Sequence, residues 1–310
     1  LRIVLIVRSE SKIMNLRTQL AAAISASLML ASPVLADENL LGYTAGAETL
    51  PKGASEAYLW ITHRGDKRRG SYAAQTVRVE YEYGFTDRLS GSIYLNAHRH
   101  DVDCGPTGCA GPLTDGEFID LKANKFQFSG FSAEVKKMIL SPYKDDLGLA
   151  LYGEITYDSV DSITGEKGQG FELEGKVIFQ KPFMDGQMQW LTNLEVEAES
   201  WNPDGADGTE YAVAPRIRSG VAYRFAPNWF VGAEGWVDAE LLKPADGSWE
   251  FDHWDLFAGP SLHYGAKDWW ATLTYAYQVA GSDESDDNST GQHLADHEKY
   301  EVRLKVGFNF

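Results

Sequence analysis

Three carboxylates at alternate positions, Glu195, Glu197 and Glu199, are followed in the chain by three guanidinium groups, Arg216, Arg218 and Arg224. Residues two apart in a β-strand share a face, so each set forms a row of one charge. Neighbouring antiparallel strands set such rows side by side, and cross-strand ion pairs are the chemistry this spacing predicts. Glu234 and Asp238 add carboxylates to the stretch that follows. Apolar residues fill the positions between: Leu194, Val196 and Ala198, then Ile217, Val221, Tyr223 and Phe225, then Val231, Ala233 and Val237. The charged face needs water or partners. The opposite face needs an apolar medium.

The elements that position these rows recur along the whole chain. Alternating runs occupy 56–64, 75–83, 89–99, 126–140, 147–157, 171–181, 187–199, 211–225, 229–241, 254–264, 269–280 and 300–310. The phase blurs at Lys136-Lys137-Met138, which predicts a bulge. Tight turns, such as Thr86-Asp87-Arg88 and Ala226-Pro227-Asn228, alternate with longer polar loops. Each run is near the length a tilted strand needs to cross a bilayer. Aromatic residues sort toward the two ends, with Tyr83, Phe85, Tyr223, Phe225, Trp229, Tyr264, Trp269 and Phe308 near the turns. Tyr157, Phe171, Trp201, Tyr211, Trp254 and Tyr300 sit near the loops, giving two girdles. About twelve strands, an even number with both ends on the short-turn side, predict an all-β fold: one transmembrane antiparallel up-and-down β-barrel.

The composition agrees. The chain is 44% hydrophobic with a mean hydropathy of −0.31, so it is no helical membrane protein, yet only every second barrel residue faces lipid. The net charge of −17 argues against nucleic acid as a partner. Residues 1–13 carry no pattern, and the reading frame is expected to start at Met14. From there Arg17, an apolar run Leu20–Leu30 and Pro33-Val34-Leu35-Ala36 predict a secretory signal cleaved after Ala36. Residues 37–54, with Gly42, Gly46, Pro51 and Gly53, are expected to be a periplasmic lead-in, and 55–310 the barrel. Cys104 and Cys109, in an exported chain, predict one loop-closing disulfide.

The last stretch carries a resemblance. Tyr300, Val302, Leu304, Val306, Phe308 and Phe310 form one apolar face that ends the chain on an aromatic residue. This resembles the terminal strand by which bacterial outer-membrane β-barrels are read by the barrel-assembly machinery. The stretches Glu82-Tyr83-Gly84-Phe85-Thr86-Asp87-Arg88, Leu140-Ser141-Pro142-Tyr143-Lys144-Asp145 and Tyr223-Arg224-Phe225-Ala226-Pro227-Asn228-Trp229 look like an uncharacterised family of such barrels, as does His297–Leu304. The resemblance implies the outer membrane of a Gram-negative bacterium. It also implies as partners the lipid bilayer, lipopolysaccharide, periplasmic chaperones and the assembly machinery. It brings no activity with it.

A charged interior is then expected, with Glu195, Glu197, Glu199, Arg216, Arg218, Arg224, Glu234 and Asp238 as lumen lining. Either these rows polarise a channel for small hydrophilic solutes with weak cation preference, or they neutralise one another in a closed structural or loop-presenting barrel. Lys67-Arg68-Arg69 suits lipopolysaccharide phosphates, or is ordinary solvated loop charge. Enzyme activity is not expected. None of the seven histidines has Ser two residues on, the spacing used by an outer-membrane phospholipase. Asp252-His253-Trp254-Asp255 departs from the Asp–x–His pair of an outer-membrane protease. No cofactor or metal site is expected. The acidic loop with Asp283, Glu284, Asp286 and Asp287 could hold a divalent cation but matches no ligand spacing, so a solvated loop is expected. His98, His100, Asp101 and Asp103 are expected to mark a strand end beside a disulfide-pinned loop rather than a metal site.

Overall fold

A computed structural model describes residues 39–67, 71–103, 125–205, 208–245, 247–283, 291–294 and 297–310. The expected signal sequence, Cys104, Cys109, Arg68, Arg69 and the acidic positions 284, 286 and 287 lie outside the described residues.

The described chain forms twelve strands: β1 (Ser55–Gly65), β2 (Ser71–Thr86), β3 (Leu89–Asp103), β4 (Gln127–Leu140), β5 (Gly148–Val160) and β6 (Lys167–Phe183), then β7 (Met188–Pro203), β8 (Glu210–Ala226), β9 (Trp229–Lys243), β10 (Glu250–Gly265), β11 (Trp269–Asp283) and β12 (Tyr300–Asn309). Each pairs antiparallel with its sequence neighbours, and β1 closes on β12 with Tyr58 opposite Gly307 and Arg64 opposite Glu301. Closure leaves no unpaired sheet edge. No helix among the described residues is long and apolar enough to cross a membrane.

The side-chain alternation turns the usual burial order inside out. Ile93 and Leu95 are 64% and 59% exposed, while Ser92, Tyr94 and Asn96 between them are buried. Phe131, Leu151, Ile155, Leu173 and Val196 continue this apolar outer surface around the barrel. In water such a surface would be costly; against acyl chains it is the favourable one. Aromatic pairs mark both ends. Trp229 and Trp269 flank Tyr264 at 4.8 and 5.1 Å near the turns, and Phe131 and Phe171 flank Tyr157 at 5.6 and 5.2 Å near the loops.

The strands run past the apolar alternation at their loop ends. In β6, Gly168-Gln169-Gly170 still pairs with β7, with Gly168 opposite Pro203, although these residues carry no apolar side chain. Backbone pairing alone continues the wall there. The bulge expected at Lys136–Met138 is a register shift between Met138 and Leu140.

The expected periplasmic lead-in is placed differently. Residues 39–48 lie inside the barrel. Leu40 and Leu41 pack with Leu191, Ala222 and Phe230 of the inner wall, and Tyr43 packs with Trp236, Phe257 and Ala276. Ala47 sits against Ala150 and Ile178. Gly220 and Gly232 make room for this contact: a Cβ at either would lie 2.5 or 2.6 Å from a Leu41 methyl. The physical reason is that small and apolar residues on the inward face leave a dry recess, which a short apolar segment fills.

Candidate functional site

The interior divides into a wall of matched charge, a recess that holds the inserted segment, and a water-accessible cavity between them and the outer mouth. The wall is built on β6 to β9. Registers set Lys176 opposite Glu195, Glu195 opposite Arg216, and Arg216 opposite Asp238. The ion pairs themselves run diagonally as well as straight across. Arg216 makes a bidentate contact with Glu197, at 2.8 and 3.2 Å, and its Nε lies 3.1 Å from Asp238. Arg218 donates from Nε to Glu195 at 2.9 Å, and Lys176 lies 2.8 Å from Glu174. Planar guanidinium groups between carboxylate rows on three strands can serve both neighbours at once. On the opposite wall Arg78 pairs with Glu154, and Tyr152 donates to Glu134 at 2.8 Å.

The candidate residues named from sequence therefore separate. Glu197, Glu199, Arg216, Arg218 and Asp238 line the cavity together. Glu195 belongs to the same network but lies behind it, its side chain 1% exposed. Arg224 is off this row: it sits next to the Ala226–Trp229 turn, six residues from Arg218 along the strand, and does not line the cavity. At about 3.3 Å per residue that is too far for a shared network.

Glu234 does something the sequence did not suggest. It accepts from the backbone N–H groups of Gly42, Tyr43 and Thr44 at 2.7, 2.9 and 2.9 Å. The hydroxyls of Thr44, Ser261 and Thr274 donate to the same carboxylate at 3.0, 2.9 and 3.0 Å. A carboxylate that collects three successive backbone amides is an anion in a nest of N–H dipoles. Further along, Asn193 Oδ1 accepts from Ala45 N at 2.7 Å and Gln180 Oε1 from Ala47 N at 2.8 Å. Tyr43 donates to Glu301, and the Arg303 guanidinium stacks over its ring at 3.7 Å. Lys305 bonds Asn39 Oδ1 at 3.1 Å and lies 3.7 Å from the Trp60 ring centre.

Burial shifts the titratable groups of the inserted segment and the last loop. The Glu48 carboxyl is pushed up to about 7 by burial, against the opposing pull of hydrogen bonds from Tyr143 and Gln180. Burial, then the neighbouring Glu301, raises Glu298 well above the usual carboxylate range.

The cavity measures about 350 Å³ and is bounded below by Asn39, Gly42, Tyr43 and Ala45 of the inserted segment. Among the described residues, thirteen acidic and eight basic side chains line it, so acidic groups are in excess. Glu172 and Glu199 make no salt bridge among the described residues. At the rim, Lys67 is buried and lies 4.3 Å from the Tyr72 ring centre, so it turns inward rather than toward the outer surface. His98 and His100 face inward separately, bonded to Thr76 and to the Ser162 carbonyl at 3.1 Å each.

The sequence model of a family of unknown function, DUF6662, matches residues 33–310. The chain belongs to that family. No curated protein matches it. Among solved structures, it is similar to the COG4313 outer membrane channel from Pseudomonas putida F1, with 13% identity and a TM-score of 0.58. That match covers 85% of this chain and 98% of the other. The translocator domain of the autotransporter NalP from Neisseria meningitidis matches with 11% identity and a TM-score of 0.47, covering 98% of each chain. The NanC porin matches with 10% identity and a TM-score of 0.45, covering 82% of this chain and all of the porin. The likeness is one of fold: this DUF6662 member is an outer-membrane type β-barrel.

Proposed function

We propose that the barrel is a narrow, cation-preferring channel for small hydrophilic solutes, held at low conductance by its own residues 39–48. The observation that carries this reading is the cavity of about 350 Å³ whose carboxylates outnumber its cations thirteen to eight. A lumen serving only as filler would gain nothing from unpaired acids, because a buried charge without a partner is costly unless water reaches it. Excess carboxylates in a wet constriction favour cations. The fold shared with an outer membrane channel fits the same reading.

A second reading has its own observation. Leu40, Leu41 and Tyr43 fill the turn-side part of the lumen with buried side chains, which suits a closed structural barrel stapled by residues 39–48.

Planar-bilayer recording separates the two. Purified, heat-modifiable protein is expected to give small steps whose reversal potential in a KCl gradient favours K⁺. Glu172→Gln with Glu199→Gln, two acids without cationic partners, should reduce that preference. Silence from folded wild type and also from folded Glu234→Ala, in which the segment has lost its anchor, would establish the closed barrel instead.

A further inference from the structure

Three histidines, one of them distant in the chain from the other two, meet at the loop-side mouth. His253 lies on β10, and His293 and His297 lie on the segment before β12. One ring nitrogen from each falls within 4.8 Å of the others. The rings of His253 and His293 stack at 4.5 Å, and Nε2 of His253 faces Nε2 of His297 at 2.9 Å. Beside them is Asp255, fully buried, with neither carboxylate oxygen hydrogen-bonded among the described residues. Its Oδ2 lies 3.6 Å from His297 Nε2 and 4.0 Å from His253 Nε2.

We propose that His253, His293, His297 and Asp255 form a binding site for a divalent transition-metal ion, with Zn²⁺ the ion their donor set suits best. Three imidazole nitrogens and one carboxylate oxygen are the ligands of a tetrahedral zinc site. Two facing imidazole nitrogens need either a proton or a cation between them. With metal–nitrogen bonds near 2.0–2.1 Å, tetrahedral ligands stand about 3.3 Å apart, so the two rings need to part by only a few tenths of an ångström. The unbonded carboxylate 3.6 Å away gives the ion its anionic ligand.

The surroundings are built to hold this arrangement. His253 Nδ1 lies 2.7 Å from Asp252 Oδ2, a contact that places the proton on Nδ1 and leaves Nε2 as the ligand atom. The β10 register shifts against β9 between Phe251 and His253, and against β11 between Leu256 and Phe257. These irregularities bracket the His253–Asp255 pair, and bulges of this kind re-aim side chains. The loop carrying His293 lies directly on β11: Gln278 donates to its carbonyl at 2.9 Å, and a Cβ on Gly281 would stand 2.7 Å from its backbone nitrogen. His253 and His297 line the acidic cavity, which gives a cation its entry path.

Untagged, full-length protein, dialysed against chelator and titrated with ZnCl₂ in a calorimeter, is expected to bind one Zn²⁺ per chain. Bound metal is then counted by elemental analysis. His297→Ala and Asp255→Asn should each weaken binding at least about tenfold, and Asp252→Asn should weaken it by about tenfold through His253. His63→Ala, outside the cluster, should leave it unchanged. Heat-modifiable migration confirms that each variant is folded, and none of these readouts depends on conductance. Absence of stoichiometric zinc in folded wild type, or unchanged affinity in either His297→Ala or Asp255→Asn, overturns the site.

Discussion

Two inward-facing carboxylates, on strands separated only by β8, are stabilised in opposite ways. Glu197 on β7 is held by a guanidinium, in a row where Arg216 also serves Asp238. Glu234 on β9 has no cation within salt-bridge distance among the described residues, and is held instead by three backbone amides and three hydroxyls. The first arrangement fixes strand to strand. The second fixes an irregular segment to the wall, and half of its donors are backbone amides. Charge pairing thus builds the barrel, and dipole pairing fills it.

The comparison is broken most strongly at Glu234. Charge-assisted hydrogen bonds are worth about 1.5–3 kcal/mol each and are not additive, so Glu234→Ala should weaken docking of residues 39–48 by about 4 kcal/mol or more. Hydrogen exchange at the amides of Gly42, Tyr43 and Thr44 should then rise by several hundredfold while strand amides stay protected. Equal protection in the variant would show that the apolar contacts of Leu41 and Tyr43 suffice. At Arg216 the loss is spread over the wall. Arg216→Ala leaves Glu197 and Asp238 facing each other, at a cost of about 3 kcal/mol, the low end for a broken buried pair because the guanidinium is 21% exposed to the cavity. Urea unfolding in lipid vesicles reads this directly, and Arg216→Lys should recover part of it. The smallest effect is that of pH on Glu48. Its carboxyl titrates at about 7 when docked and near its ordinary 4.5 when free, so the docked segment holds the extra proton between those values. Docking is therefore strongest below about pH 4.5 and loses this contribution as pH rises through about 7. Exchange at Ala47 N–H, measured at pH 5 and pH 8 after correction for intrinsic rates, should show it; Glu48→Gln should abolish the difference.

Much of this was legible in the sequence because a strand writes its environment at period two. The apolar faces of Ile93–Leu95 and Val79–Tyr83, and the Glu195/Arg216 rows, needed no tertiary information. The inserted segment was not legible. Asn39–Glu48 has no period, and its bonds to Glu234, Asn193 and Gln180 use backbone amides, on which side-chain type leaves no mark. Glu234 itself reads like any inward acid of the β9 row. The histidine cluster was hidden for another reason. His253 and His297 are separated by a whole hairpin and meet only when β10 and the segment before β12 converge at the rim. Arg224 shows the converse error, since shared phase with Arg218 says which face a residue is on but not how far along the barrel it stands.

The inserted segment touches the last strand more than the first. Tyr43 and Asn39 bond Glu301 and Lys305 of β12, and the Arg303 side chain reaches the Gly42 carbonyl at 3.4 Å. The same chain leaves the lumen through Thr49 and Lys52, both anchored on Asp87, before it enters β1. The first and last described stretches are thus joined twice, once along the β1–β12 seam and once through the interior. Assembly acquires an order from this. The seam and the interior contact share β12, so the lumen reaches its final form only after β12 has met both β1 and residues 39–48.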